Sequence, residues 1–146
     1  MTTTIDNTQD ILDSRDIFER IEELESTRDS FFEENNITPN EIGNMNNPKY
    51  AEWEESDDAK ELSDLSSFME DFKGYGGDEQ WRGDWYPVTI IRDSYFVDYT
   101  EELITDCGYI SKDFPSWIAI DWEKTAEAVQ QDYTSAEFDG VTYWAR

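Results

Sequence analysis

Residues 135–145 read Ser135-Ala136-Glu137-Phe138-Asp139-Gly140-Val141-Thr142-Tyr143-Trp144-Ala145. Two runs of strand-forming residues flank Asp-Gly. A two-residue type I′ turn needs positive φ at both central positions, and Asp-Gly meets that need at low cost. The stretch predicts a C-terminal β-hairpin. Because the segments upstream carry helical periodicity, it makes the fold class α+β rather than all-helical.

Working outward, a helix is expected after Asp121, with Trp122, Ala126 and Val129 facing inward. Before it, Phe96, Tyr99, Leu103, Ile104 and Cys107 recur at helical spacing, capped by Asp93 or Ser94. Gly108 stands where a helix commonly ends in a left-handed residue. Residues 88–91 read as a short β-branched strand entered through Pro87. Residues 78–146 are therefore expected to form a small α+β unit with a short antiparallel sheet. Upstream, a helix is predicted over Ser14–Glu34, with Asp13 or Ser14 as cap and Ile17, Ile21, Leu24, Arg28 and Phe31 along one stripe. Six Asn, two Pro and one Gly mark residues 35–49 as a loop. A second helix is expected over residues 50–72, with Leu62, Leu65, Phe68, Met69 and Phe72 apolar. Gly74, Gly76 and Gly77 then read as a flexible joint, and residues 1–12 as a flexible arm. Residues 13–77 thus form an acidic helical region, two helices joined by the loop.

Charge dominates the composition. The chain has 146 residues, with 36 Asp plus Glu against 11 Lys plus Arg, a net charge of −25. Residues 1–75 carry 21 acids and 6 bases, and residues 76–146 carry 15 and 5, so the excess is not an appended tail. Aromatic residues make up 15% of the chain, which is too many for a disordered acidic segment. Such a field repels nucleic acid and anionic membranes and attracts basic surfaces. It far exceeds the net charge of roughly 2–8 that solubility asks of a small domain. Salt adaptation would also produce an acid excess, but it coats folds that keep a recognisable active site.

No such site is legible. The chain contains no histidine, which removes Ser-His-Asp and Cys-His catalysis and His-ligated zinc. Cys107 is the only cysteine, so no internal disulfide can form; it reads as a small core residue in a reducing compartment, and a cytoplasmic location is expected. No phosphate-binding glycine loop or Ca²⁺-binding loop pattern is present. No catalytic residue, cofactor or metal site is expected.

The spacing of the acids is more telling. Residues three and four apart on a helix are neighbours, roughly 5–6 Å between Cβ atoms. Glu19, Glu22 and Glu23 then form one row of carboxylates. Glu54, Asp57, Asp58 and Glu61 form a second, and Asp98, Glu101 and Glu102 a third, with Asp106 beyond them. Duplex DNA carries one charge per roughly 1.7 Å of axis, and neighbouring acidic rows can approach that density. Like charges at this spacing cost a few tenths of a kcal/mol each, so stability does not favour them, although most charge runs are ordinary solvated faces.

The last third also resembles a known family. Asp93-Ser94-Tyr95-Phe96-Val97-Asp98-Tyr99 followed by Glu101-Glu102-Leu103 is similar to a helix of ArdA-type antirestriction proteins. So are Pro115-Ser116-Trp117 with Ile120-Asp121-Trp122-Glu123, then Asp132-Tyr133, then Phe138-Asp139-Gly140-Val141-Thr142-Tyr143. The likeness covers about residues 86–146. Asp13-Ser14-Arg15-Asp16 through Ile21-Glu22-Glu23-Leu24 resembles the opening of short phage proteins that carry the same unit. The resemblance implies a non-catalytic DNA mimic, made by a phage or mobile element, that occupies the DNA groove of Type I restriction-modification enzymes. It implies a nucleic-acid-binding host protein as partner, and homodimers as an assembly. The chain is shorter than the family's three small domains in series, and its N-terminal half is helical where the family has further α/β units. The partner-binding acids are expected to be the ten of the three rows. Trp53, Trp81, Trp85 and Trp144 are candidate aromatic anchors where exposed. Core packing is the stronger expectation for Trp117, Trp122 and Trp144. An anti-CRISPR or other inhibitor acting through an ordinary protein interface is the alternative.

Overall fold

A computed structural model describes residues 5–111 and 113–146; the first four residues of the expected arm lie outside the described residues. The protein is α+β. A short strand β1 (Ile11–Asp13) leads directly into α1 (Ser14–Glu34). Two short helices follow, α2 (Pro48–Glu54) and α3 (Asp57–Phe72). A hairpin of β2 (Asp78–Trp81) and β3 (Asp84–Tyr86) precedes β4 (Thr89–Arg92). Then come α4 (Phe96–Asp106), α5 (Trp122–Gln130), β5 (Thr134–Phe138) and β6 (Val141–Ala145).

Four strands make one antiparallel sheet in the order β1-β4-β6-β5. Successive residues of a strand point to opposite faces. Ile90, Tyr143 and Ala145 therefore face α1 and α3, in a core with Leu12, Ile17, Ile21, Leu24, Leu65 and Phe68. Ile91, paired with Trp144, faces the other way and packs with Phe96 and Ala126 of α4 and α5. The result is three layers, with helices on both faces of the sheet. Burying each large apolar side chain in these layers stabilises the fold by roughly 1.5–3 kcal/mol. A third cluster, Phe32, Ile37, Tyr50 and Trp53, fastens α2 to the far end of α1.

Several expectations need correction. Part of the arm is built into the sheet: Leu12 is buried opposite Ile90, Arg92 donates its backbone N–H to the Asp10 carbonyl (2.8 Å), and its Nε donates to the Asn7 carbonyl (2.7 Å). The single helix expected over residues 50–72 is two helices. Pro48 starts α2 behind the Asn47 cap, and the chain breaks at Glu55 and Ser56. Ser56 Oγ accepts from the Ala59 N–H (3.2 Å) and caps α3, with Asp57 and Asp58 in a first turn whose dipole favours anions. The helix expected from Asp93 begins with a 3-10 turn at Asp93–Tyr95, and neither Asp93 nor Ser94 caps α4. Cys107 is exposed, not part of the core. The main apolar cluster also crosses the boundary drawn at residue 77, joining α1 and α3 to the C-terminal strands.

The glycine-rich stretch is a close crossing, not a flexible joint. Gly77 has φ +70°, and a Cβ there would lie 1.8 Å from the Tyr86 carbonyl oxygen and 2.6 Å from Pro87 Cα. Gly74 donates its N–H to the Trp85 carbonyl (2.8 Å). Together they fold the β2–β3 hairpin back onto α1. Arg82 and Gly83 both have positive φ, which makes the hairpin's two-residue turn type I′.

Gly77→Ala is expected to lower the unfolding free energy by more than about 2 kcal/mol, from left-handed strain plus a backbone clash that cannot relax. Gly43→Ala, with φ +90° and nothing within 4 Å of the added Cβ, is the comparison and is expected to cost only about 1–2 kcal/mol. Urea unfolding of both variants checks this. Asp13 caps α1 through the Arg15 N–H, and the Arg15 side chain holds its carboxyl below the usual value. Asp13→Ala is expected to cost about 1 kcal/mol at neutral pH. A lowered folded pKa contributes above the unfolded value of about 3.9 and is lost as pH falls through the folded one, so the difference from wild type should shrink progressively as pH falls below about 3.9.

Candidate functional site

The β2–β3 hairpin lies across the first turns of α1. Ser14, fully buried, donates from Oγ to Gln80 Oε1 (2.7 Å), and Gln80 Nε2 donates to the Tyr86 carbonyl (2.7 Å). Trp81 stacks on Phe18 at 4.9 Å between centroids, and its Nε1 donates to Glu22 (3.3 Å). Arg82 covers the outer face of the Trp81 ring at 3.9 Å and donates to Glu25 (2.7 Å). Between helix and hairpin runs an open groove of about 470 Å³, lined by Glu19, Glu22, Asp78 and Glu79 with Arg15, Phe18 and Trp81. Asp78 and Glu79 were missed in the sequence because the hairpin was not read. Its signal was Arg82-Gly83 flanked by Gln80-Trp81 and Asp84-Trp85-Tyr86.

The three acidic rows fare differently. In the first, Glu19 and Glu22 share the groove, but Glu23 accepts from Arg20 Nη1 (3.1 Å). The second row is dissolved. The break at Ser56 puts Glu54 on α2, where it accepts from Tyr50 Oη (2.6 Å), and Asp57 and Asp58 at the head of α3. Glu61 is held by Arg20 through two bonds of 2.6 and 2.8 Å. That pairing raises the Arg20 guanidinium well above its ordinary pKa, with the Glu61 hydrogen bond as the largest cause. Glu61 and Glu23 are therefore internal ion-pair partners that tie α1 to α3, not free charges.

The third row holds together. Asp98, Glu101 and Glu102 are exposed on α4 and, with Tyr95, Thr105 and Asp106, line a shallow concavity of about 410 Å³. Glu102 accepts from Tyr95 Oη (3.2 Å); burial and the Glu102 charge raise the Tyr95 phenol pKa. Among the described residues none of these four acids has a cationic partner within ion-pair distance. No group of three or more acids or cysteines among the described residues is arranged to hold a metal ion.

The tryptophans also sort themselves. Trp53 is buried, Trp81 and Trp144 are half-buried, and Trp85 is exposed. Trp144 Nε1 donates to Asp93 (2.8 Å). Trp122 is half-buried in α5, whereas Trp117, expected in the core, is 82% exposed.

Arg20→Met keeps the aliphatic stem of a side chain that is only 18% exposed but strands Glu61 and Glu23. The variant is expected to lose about 1–2 kcal/mol in urea unfolding, with part of the loss recovered in Glu61→Gln/Arg20→Met. No protein-family model matches the chain, and no curated protein or solved structure matches it.

Proposed function

We propose that the protein acts without catalysis, as a DNA-mimic inhibitor of a nucleic-acid-binding host defence enzyme, with Type I restriction-modification as the first target. The observation that carries this reading is the α4 row. Asp98, Glu101, Glu102 and Asp106 lie side by side in a shallow concavity with no cation paired to them among the described residues. The ion pairs of the described residues engage Arg15, Arg20, Arg28, Lys49, Lys73 and Arg82 with only seven acids, and 36 acids against 11 bases leave a surplus that pairing cannot neutralise. Carboxylates crowded in this way raise the energy of the free protein and are relieved by a partner's Lys and Arg, which release their own counter-ions on binding. The groove of Glu19, Glu22, Asp78 and Glu79 is a second negative surface on the same molecule. No helix among the described residues is long and apolar enough to cross a membrane.

A second reading, inhibition through an ordinary protein interface as in an anti-CRISPR protein, is favoured by one observation. Residues 107–120 contain a single acid, Asp113, and expose Tyr109, Phe114, Trp117 and Ile118.

The test is a competition assay in which a Type I methyltransferase is bound to labelled duplex DNA and the protein is added across a salt series. Displacement that weakens as salt rises is expected; DNA that stays bound at every salt concentration removes this target. Replacing Asp98, Glu101 and Glu102 together with Ser should raise the concentration needed for displacement at least about tenfold and flatten the salt dependence, with the urea midpoint retained. Undiminished displacement by that variant excludes α4 from the site.

A further inference from the structure

The hairpin beside the α1 groove has an unpaired edge. β2 and β3 form a sheet of two strands, so β2 has a neighbour on one side only. Among the described residues the backbone of Asp78–Trp81 has no backbone partner outside that pair. In an antiparallel pair only some of a strand's N–H and C=O groups face its neighbour, so the rest of those on β2 point away from β3. Gln80 does not offer its side chain to them, because its amide is bonded inward to Ser14 and to the Tyr86 carbonyl.

The groove runs along that edge. Its lining takes all four residues of β2 and none of β3. Successive residues of a strand point to opposite faces, so a cavity that touches four in a row without reaching the next strand follows the edge and not a face. The other side of the hairpin is closed to it, since Tyr86 of β3 is buried and meets Phe18 at 4.7 Å. The opposite wall is α1, where Arg15, Glu19 and Glu22 stand at i, i+4 and i+7, one stripe of a helix. From Arg15 to Glu22 the helix rises about 10 Å, and β2 covers about 10 Å from Asp78 to Trp81. The bond from Trp81 Nε1 to Glu22 ties these matched walls together at one end. Arg15 is already paired with Asp13 (2.6 Å), whereas among the described residues Glu19, Glu22, Asp78 and Glu79 have no cation within ion-pair distance.

We propose that the free edge of β2 is a strand-addition site for an extended, lysine- or arginine-bearing segment of a partner protein. The segment's backbone pairs with β2, and its basic side chains meet the acids of the two walls. Strand addition draws affinity from main-chain bonds and specificity from the side chains that flank them. An open sheet edge is a template for any extended chain, and here its flanks select by charge. A second copy of the chain is a poor occupant, because each copy carries −25 and the two repel. The inference goes beyond the function proposed above, which is carried by α4, and shares with it only a basic partner. It adds a requirement that the partner offer an extended backbone.

The test titrates the full chain with fluorescent peptides by anisotropy. One is a capped heptapeptide of alternating lysine and valine; the second has the same sequence with N-methyl groups on its three central amides. Methylation keeps the charge and the extended backbone but blocks pairing from either edge. The unmethylated peptide is expected to bind at least about tenfold more tightly, the equivalent of one or two hydrogen bonds. It should also slow hydrogen exchange at amides within Asp78–Trp81 and not along α4. Glu19→Gln/Glu79→Gln should weaken both peptides. Asp98→Ser/Glu101→Ser/Glu102→Ser should keep the preference for the unmethylated peptide, so a failure of duplex competition is read separately from a failure here. Equal affinity of the two peptides, protection confined to other segments, or undiminished binding by Glu19→Gln/Glu79→Gln overturns the proposal. Loss of the preference in the α4 variant places the peptide on α4 and overturns it too. So does self-association at high salt that the peptide reverses, which would make a second copy the occupant.

Discussion

The two central strands, β4 and β6, are buried from both sides, and the rest of the molecule is arranged around that pair. Ile90 and Ile91 are adjacent in sequence and lie in different apolar clusters, as do Tyr143 and Trp144. Shifting either strand by one residue would exchange the two sets of side chains between faces. The pairing of Ile91 with Trp144 thus fixes which helices lie on which side. It also fixes where the acids are left. α1 and α3 bury their apolar stripes on one face and α4 its Phe96 on the other, so their carboxylates are turned outward on opposite sides of the sheet.

Within this frame the few cations are used structurally. Arg20 bridges α1 to α3 through Glu61, Arg82 pins the β2–β3 hairpin to Glu25, and Arg92 holds residues 7–10 to the sheet. Each sits where two segments distant in sequence meet. The scarcity of bases is therefore compatible with a stable fold, because these three tie together segments that are distant in sequence. The surfaces left without them, the α4 concavity and much of the α1–hairpin groove, are the negative ones.

How much of this was legible in the sequence depends on how local its causes are. The bounds of α1 follow from Asp13 as cap and from the Asn35-Asn36 exit, where Asn36 adopts positive φ. Asp121 caps α5 and Gly108 closes α4 for equally local reasons. The α+β class follows from period. What escaped was set by distant contacts. β1 exists because β4, nearly eighty residues on, offers it a partner. Gly77 is constrained by the carbonyl of Tyr86, so composition alone made it seem a loose joint. The break at Ser56 was readable from Ser56-Asp57-Asp58, a good helix start, but the apolar stripe ran smoothly across it. Of the ten candidate acids, those separated from the rest were captured by Arg20 or Tyr50, or displaced by that break. Trp117 defied the expectation that tryptophan packs, and nothing in its spacing signals its exposure.

The strand order β1-β4-β6-β5 has a kinetic consequence. β6, sixth in sequence, is an inner strand of the sheet and joins β4 to β5. A chain emerging from the ribosome can form α1 and its short-range turns early, but it cannot seal either apolar layer until residues 141–145 are available. Such long-range pairing makes folding slower than that of helical bundles, whose contacts are local. Throughout that interval the strand-forming segments are exposed to one another across molecules. The same negative charge that marks the folded surface keeps those nascent chains apart, so it acts before there is any surface to present.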